Sequence, residues 1–106
     1  MNAWVALVLA ILMEVAATLS LKAAGSGSIP ASVVVVVGYL GAFALLAVVL
    51  RTMEVGTTYA IWAGAGTALV AAIGMVALGE AVSAVKIGSL ALIVFGVIGL
   101  NLSGAH

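Results

Sequence analysis

Apolar residues fall in four long runs, at roughly 4–21, 31–50, 58–78 and 85–102, separated by short stretches that carry most of the charge. Each run is close to the roughly 20 residues that a helix needs to cross the hydrocarbon core of a bilayer. Within the runs, polar and apolar positions do not alternate as the strands of a membrane barrel require. Helices are the expected spanning form, because they satisfy their own backbone groups where no water can. The pattern predicts an all-α integral membrane protein, a single domain over 1–106 with four transmembrane helices and very short loops.

The breaks between the runs have recognisable chemistry. Gly25-Ser26-Gly27-Ser28 follows Lys22 and its alanines, and Pro30 suits the first turn of the second helix. The second break is Arg51-Thr52-Met53-Glu54-Val55-Gly56, and the third is Gly79-Glu80-Ala81-Val82-Ser83-Ala84 with Lys86 just beyond. None of them is long enough for an extramembrane domain, so the chemistry is expected within the membrane. No Lys or Arg precedes the first run and Glu14 interrupts it, which argues against a cleaved signal peptide despite the small residues after Lys22.

Composition sharpens the class. The chain is 67% hydrophobic and 6% charged, with a mean hydropathy of +1.50, whereas soluble domains carry about 25% charged residues. It cannot clothe a water-facing surface. Three basic and three acidic side chains leave no net charge, so no basic patch exists for nucleic acid. There is no Cys, and the single His106 has no cluster around it, so no metal site is expected. No nucleophile–base set appears in or near the helices, and enzyme chemistry is not expected.

One residue stands against the pattern. Between Ala3 and Leu21 the only ionisable side chain is Glu14, near the middle of the first run. A charge at bilayer mid-depth costs about 2.5–3.5 kcal/mol on insertion scales. Such a residue marks a functional site by default. At helical spacing Leu7, Ala10, Glu14, Ala17, Thr18 and Leu21 share a face. Ala10 and Ala17 either leave space beside the carboxylate or serve close helix packing, and Thr18 offers a hydroxyl.

Charge also bears on orientation. Lys22 and Lys86 lie on one side of the membrane and Arg51 on the other, a bias of one residue that the free amino terminus offsets. The chain can be expected to insert both ways up, unless cellular factors fix its topology. Secondary transporters are often built from inverted repeats with the site at midplane. Four helices without an internal repeat supply only one half, so an antiparallel homodimer would complete it and bring two Glu14 side chains toward one cavity. Desolvation disfavours ionised carboxylates, and a second carboxylate nearby adds to that. The pair would hold protons and yield them to an arriving organic cation. Competition of proton and cation for one residue is enough for coupled antiport.

A flat or quaternary cation needs aromatic faces as well as charge. Tyr39 is about mid-depth in the second run, and Tyr59 and Trp62 stand three apart on the third, on one face. The alternatives are a packed core tyrosine for Tyr39 and the interfacial aromatic belt for Tyr59 and Trp62; Trp4 is read as a belt residue. Gly64 and Gly66 mark either a hinge or simple packing. Ser89 and Gly96, with Gly88 and Gly99 flanking, form a small-residue stripe that suits a dimer contact or the chain's own helices.

These residues resemble the small multidrug resistance (SMR) family of proton-coupled transporters over nearly the whole length. The likeness rests on Glu14-Val15-Ala16-Ala17-Thr18 with Lys22, on Gly56-Thr57-Thr58-Tyr59-Ala60-Ile61-Trp62-Ala63-Gly64-Ala65-Gly66, on Gly79-Glu80, and on Asn101-Leu102-Ser103. The resemblance implies an antiparallel, dual-topology dimer in a bacterial inner membrane that exchanges protons for cations and uses no cofactor beyond the coupling proton. Glu14 would bind both, Tyr59 and Trp62 would line the site, Gly64 and Gly66 would match a helix-three kink, and Ser89 and Gly96 would form the dimer interface. Glu54 stands where family members often have Pro, and Ser89 replaces the first glycine of the stripe.

The family has multidrug (quaternary ammonium) and guanidinium branches. The guanidinium type typically carries a tryptophan three residues after the glutamate, where this chain has Ala17, and the multidrug type a tyrosine at the place of Tyr39. Both positions favour export of hydrophobic or quaternary cations. Guanidinium exchange, one half of a paired heterodimer, and a non-transporting structural subunit are the other readings.

Overall fold

The computed structural model describes residues 2–103, and His106 lies outside the described residues. Four helices follow one another: α1 (Ala3–Gly25), α2 (Ile29–Val49), α3 (Val55–Ala77) and α4 (Ala84–Leu102). All four are long and apolar enough to span a membrane. There is no strand among the described residues.

The helices start where side chains can cap them. Asn2 accepts from the Trp4 amide at 2.8 Å, Ser28 from the Ala31 amide at 3.2 Å, and Ser83 from the Lys86 amide at 3.1 Å. Each supplies an acceptor to an amide that has no partner within its helix. Glu54 precedes α3 without a side-chain capping bond.

α2, α3 and α4 end within a residue of their apolar runs, but α1 does not. α1 runs four residues past Leu21, through Lys22, Ala23, Ala24 and Gly25, because alanine and lysine propagate helix regardless of hydropathy. Its carbonyls are then closed off by a tight turn, with Gly27 N–H on Ala24 O at 3.0 Å and Ser28 N–H on Ala23 O at 3.1 Å. Gly27 has φ +97°, a left-handed conformation that glycine adopts without strain. α3 starts at Val55 rather than Thr58. Its far end is closed by Glu80 N–H on Gly74 O at 3.1 Å, and the Glu80 side chain lies where a Cβ on Gly74 would be.

The chain divides into two compact units, residues 1–53 and 54–106. In the first, α1 and α2 pack against each other. The buried positions of α2 are Gly38, Ala42, Leu46 and Val49, a single line at helical spacing whose first two members are small. A Cβ on Gly38 would sit 2.9 Å from the Ala17 Cβ and 3.0 Å from the Met13 carbonyl oxygen, so the two backbones meet there. A Cβ on Gly41 would collide with the end of the Met13 side chain.

In the second unit, α3 packs on α4. Here a Cβ on Gly64 would lie 2.9 Å from Val97 Cγ2 and 3.5 Å from Ile93 Cγ2. α3 is continuous through Gly64 and Gly66. None of the residues of α4 is buried.

Candidate functional site

The α1–α2 contact positions a chain of polar groups inside otherwise apolar helices. Glu14 and Thr18 are one turn apart on α1, so their side chains lie together. Thr18 Oγ1 donates to Glu14 Oε1 at 2.7 Å. It also lies 2.7 Å from the Tyr39 hydroxyl on α2. Both separations are ordinary for O–H···O bonds. Threonine has a single hydroxyl proton, and here it is directed to Glu14, so Tyr39 donates to Thr18. The order of donation is Tyr39 to Thr18 to Glu14.

A threonine or serine inside a helix commonly donates to the carbonyl four residues back. Ser20 does so, to Ala16 O at 2.9 Å. Thr18, two residues earlier, turns its proton instead to the carboxylate. That departure needs an acceptor beside it and a donor behind it, and Glu14 and Tyr39 are those two groups.

The chain spans the two helices because they are close. The Ala17–Gly38 approach lies immediately beside Thr18 and Tyr39 in sequence. A larger residue at either position would separate the backbones and lengthen the reach from Tyr39. The sequence signal for Gly38 is its small–x–x–x–small spacing with Ala42, and Gly41 carries no such signal.

The other carboxylate oxygen, Glu14 Oε2, is buried and has no hydrogen-bond partner among the described residues. The carboxylate is therefore asymmetric, with one oxygen held by the Thr18 hydroxyl and the other without a partner among the described residues. Among the residues expected on this face, Leu7, Ala10 and Ala17 are fully buried. For Ala17 the burial is packing against Gly38.

In the second unit, Tyr59 and Trp62 meet on one face of α3, with ring centroids 5.7 Å apart and planes tilted by 51°. Tyr59 is 62% exposed, and Trp62 is half-buried. Beside them Thr58 is buried, and its hydroxyl has no hydrogen-bond partner among the described residues. Ser89 and Gly96 are exposed on α4, and a Cβ on Gly96 would meet nothing within 4 Å. No cluster of metal-ligating side chains occurs among the described residues.

A family model described as Small Multidrug Resistance protein matches residues 2–93. A protein named Guanidinium exporter from Escherichia coli (strain K12) is 43% identical over 101 residues, covering 94% of this chain and 96% of that protein. Multidrug resistance protein mmr from Mycolicibacterium paratuberculosis is 43% identical over 102 residues, covering 94% of this chain and 95% of its own length. Quaternary ammonium compound-resistance protein QacE from Escherichia coli is 41% identical over 103 residues, with coverage of 96% and 94%.

Proposed function

Because the chain belongs to the Small Multidrug Resistance family, a group of multi-pass bacterial membrane proteins, we propose that it is a proton-coupled antiporter exporting hydrophobic and quaternary cations, with Glu14 as the shared site for proton and cation. The observation that carries this reading is the carboxylate itself. Of the three acidic residues only Glu14 lies inside a span, since Glu54 precedes α3 and Glu80 lies in the turn beyond it. A buried carboxylate oxygen without a hydrogen-bond donor is costly to maintain. A proton or a cation supplies what it lacks.

The mechanism is competition. A proton arriving at Glu14 removes the charge that holds the cation, and the cation leaves; a cation arriving from the other side displaces the proton. Only one occupant at a time gives coupling without a separate gate for each. Tyr59 and Trp62 are assigned to the cation as aromatic surface, which attracts quaternary and flat cations through the negative ring faces. The working form is an antiparallel homodimer joined along the Ser89–Gly96 face of α4, which gives two opposed copies from one chain and two Glu14 carboxylates. The aromatic assignment rests on the family resemblance and on the Tyr59–Trp62 pair, and the dimer on the resemblance and the small, open surface of α4.

A second reading has specific support: the E. coli relative at 43% identity is named a guanidinium exporter. Guanidinium exchange would use the same carboxylate and the same competition with the proton.

The test is transport into proteoliposomes under an imposed pH gradient, with tetraphenylphosphonium and guanidinium as substrates and wild type beside Glu14→Gln. The expected result is gradient-driven movement of tetraphenylphosphonium that Glu14→Gln abolishes, with binding that weakens as pH falls. Guanidinium movement alone transfers the conclusion to the second reading. Equal movement in wild type and Glu14→Gln overturns both.

A further inference from the structure

We propose that Thr18, held by Tyr39, reserves one oxygen of Glu14 and thereby selects against cations that grip both. The inference rests on the reading of Glu14 as the shared proton and cation site, and it names the substrate class that site prefers.

A guanidinium group binds a carboxylate best through two parallel N–H donors, one to each oxygen. In this chain Oε1 is already engaged by Thr18 at 2.7 Å, and Thr18 is engaged by Tyr39 at 2.7 Å. Of the two Glu14 oxygens only Oε2 is without a partner among the described residues. A guanidinium fork must therefore place a second donor on Oε1 beside Thr18, each bond weaker for the other, or displace it. Displacement by turning the Thr18 side chain takes from Tyr39 the oxygen to which it donates.

The helices offer no easy escape. Thr18 would have to rotate its proton back to the carbonyl four residues earlier, as Ser20 does. α1 and α2 are held at fixed spacing beside it by Ala17 against Gly38. Tyr39 then faces the same narrow gap with its acceptor turned. A quaternary ammonium or phosphonium cation makes no such demand. It has no N–H, is attracted as a charge, and can be balanced at Oε2 while the Tyr39–Thr18 chain stays intact.

The same geometry assigns the proton to Oε2. Proton and favoured cation then compete for one oxygen atom, and the hydroxyl chain fixes the carboxylate plane throughout the cycle. Thr18 and Tyr39 are positioning residues; they act through Glu14.

The experiment compares apparent affinities for guanidinium and tetraphenylphosphonium in proteoliposomes of the full chain, expressed as a ratio so that losses of folded protein cancel. Thr18→Val keeps the shape and removes the hydroxyl. It is expected to shift the ratio toward guanidinium by about tenfold, the scale of one hydrogen bond to a charged group. Thr18→Ser restores the hydroxyl and returns the ratio to the wild-type side. Tyr39→Phe, which leaves α1 unaltered, shifts the ratio in the same direction by about threefold, the weaker scale of a neutral hydrogen bond. An unchanged ratio in Thr18→Val, or equal shifts in the Val and Ser variants, overturns the proposal. If Thr18→Val does not assemble, Tyr39→Phe decides by the same sign. Failure of wild type to move either cation, or equal movement with Glu14→Gln, instead overturns the transport reading on which this one stands.

Discussion

The two hairpins of this chain use glycine for opposite purposes. In α2, Gly38 removes a side chain so that α1 can touch the backbone, with Ala17 and the Met13 carbonyl closing on it. In α4, Gly88, Gly96 and Gly99 have nothing within 4 Å of the position a Cβ would take. A third of the α1 span is buried and none of the α4 span. Between α3 and α4 a shallow apolar groove of about 450 Å³ remains, lined by alanine, leucine, valine and isoleucine side chains with Gly64. The first hairpin is closed and carries a buried polar chain. The second presents small residues outward along α4. Where a helix pair must hold a carboxylate in place, more of its packing is made inside the chain; where it presents a surface, the packing is left to whatever covers it.

The difference is sharpest at Gly38. A valine there would place its Cβ against the Ala17 Cβ and the Met13 backbone oxygen, and a backbone atom cannot swing aside. Gly38→Val is expected to destabilise the α1–α2 hairpin by about 3 kcal/mol, the upper part of the range for overpacking, and to break the Tyr39–Thr18 bond as the helices part. Denaturant titration in detergent measures the first effect and loss of cation transport the second. A stable, transporting Gly38→Val protein would show that the approach of α1 and α2 does not hold the site.

Gly64→Val asks the same question of the second hairpin. The nearest atoms are the Val97 and Ile93 side-chain methyls rather than backbone. They can give way by small rotations, and the neighbouring groove has room to receive them. The expected cost is about 1 kcal/mol, the lower end of the overpacking range, measured by the same titration. Equal costs at Gly38 and Gly64 would erase the contrast between the hairpins.

The parts of this contrast that sequence revealed are those carried by one helix at a time. Four spans of about the right length followed from hydropathy, because the bilayer sets a length and each run meets it. The end of α1 did not follow, since Lys22, Ala23 and Ala24 continue it beyond the apolar run, by propensity rather than by hydropathy. Glu14 and Thr18 on one face were legible from spacing alone. Their link to Tyr39 was not, because the rotation of α2 about its axis depends on Gly38 and Ala42 facing α1, and Tyr39 follows from that packing. Ala17 had two readings, space beside the carboxylate or packing, and only its partner across the interface distinguishes them. Tyr59 and Trp62 were placed together by their three-residue spacing, but the 51° tilt between their rings depends on side-chain torsions that no spacing encodes.

The smallest effect on the chain's own stability belongs to Gly96. Nothing in the chain occupies the place of its missing side chain, and surface substitutions away from packing features fall within about 0.5 kcal/mol. Gly96→Val should therefore leave denaturant unfolding of the hairpin almost where it was. If the α4 face joins two copies, the same change should lower the fraction of cross-linked dimer in membranes, because close helix approach in lipid depends on small residues. Unfolding and dimer fraction moving separately would show that the glycines of α4 serve a second copy while those of α2 serve the chain itself. A loss of hairpin stability matching that at Gly38 would mean that α4 is packed within its own chain, and the outward-facing half of the comparison would fall.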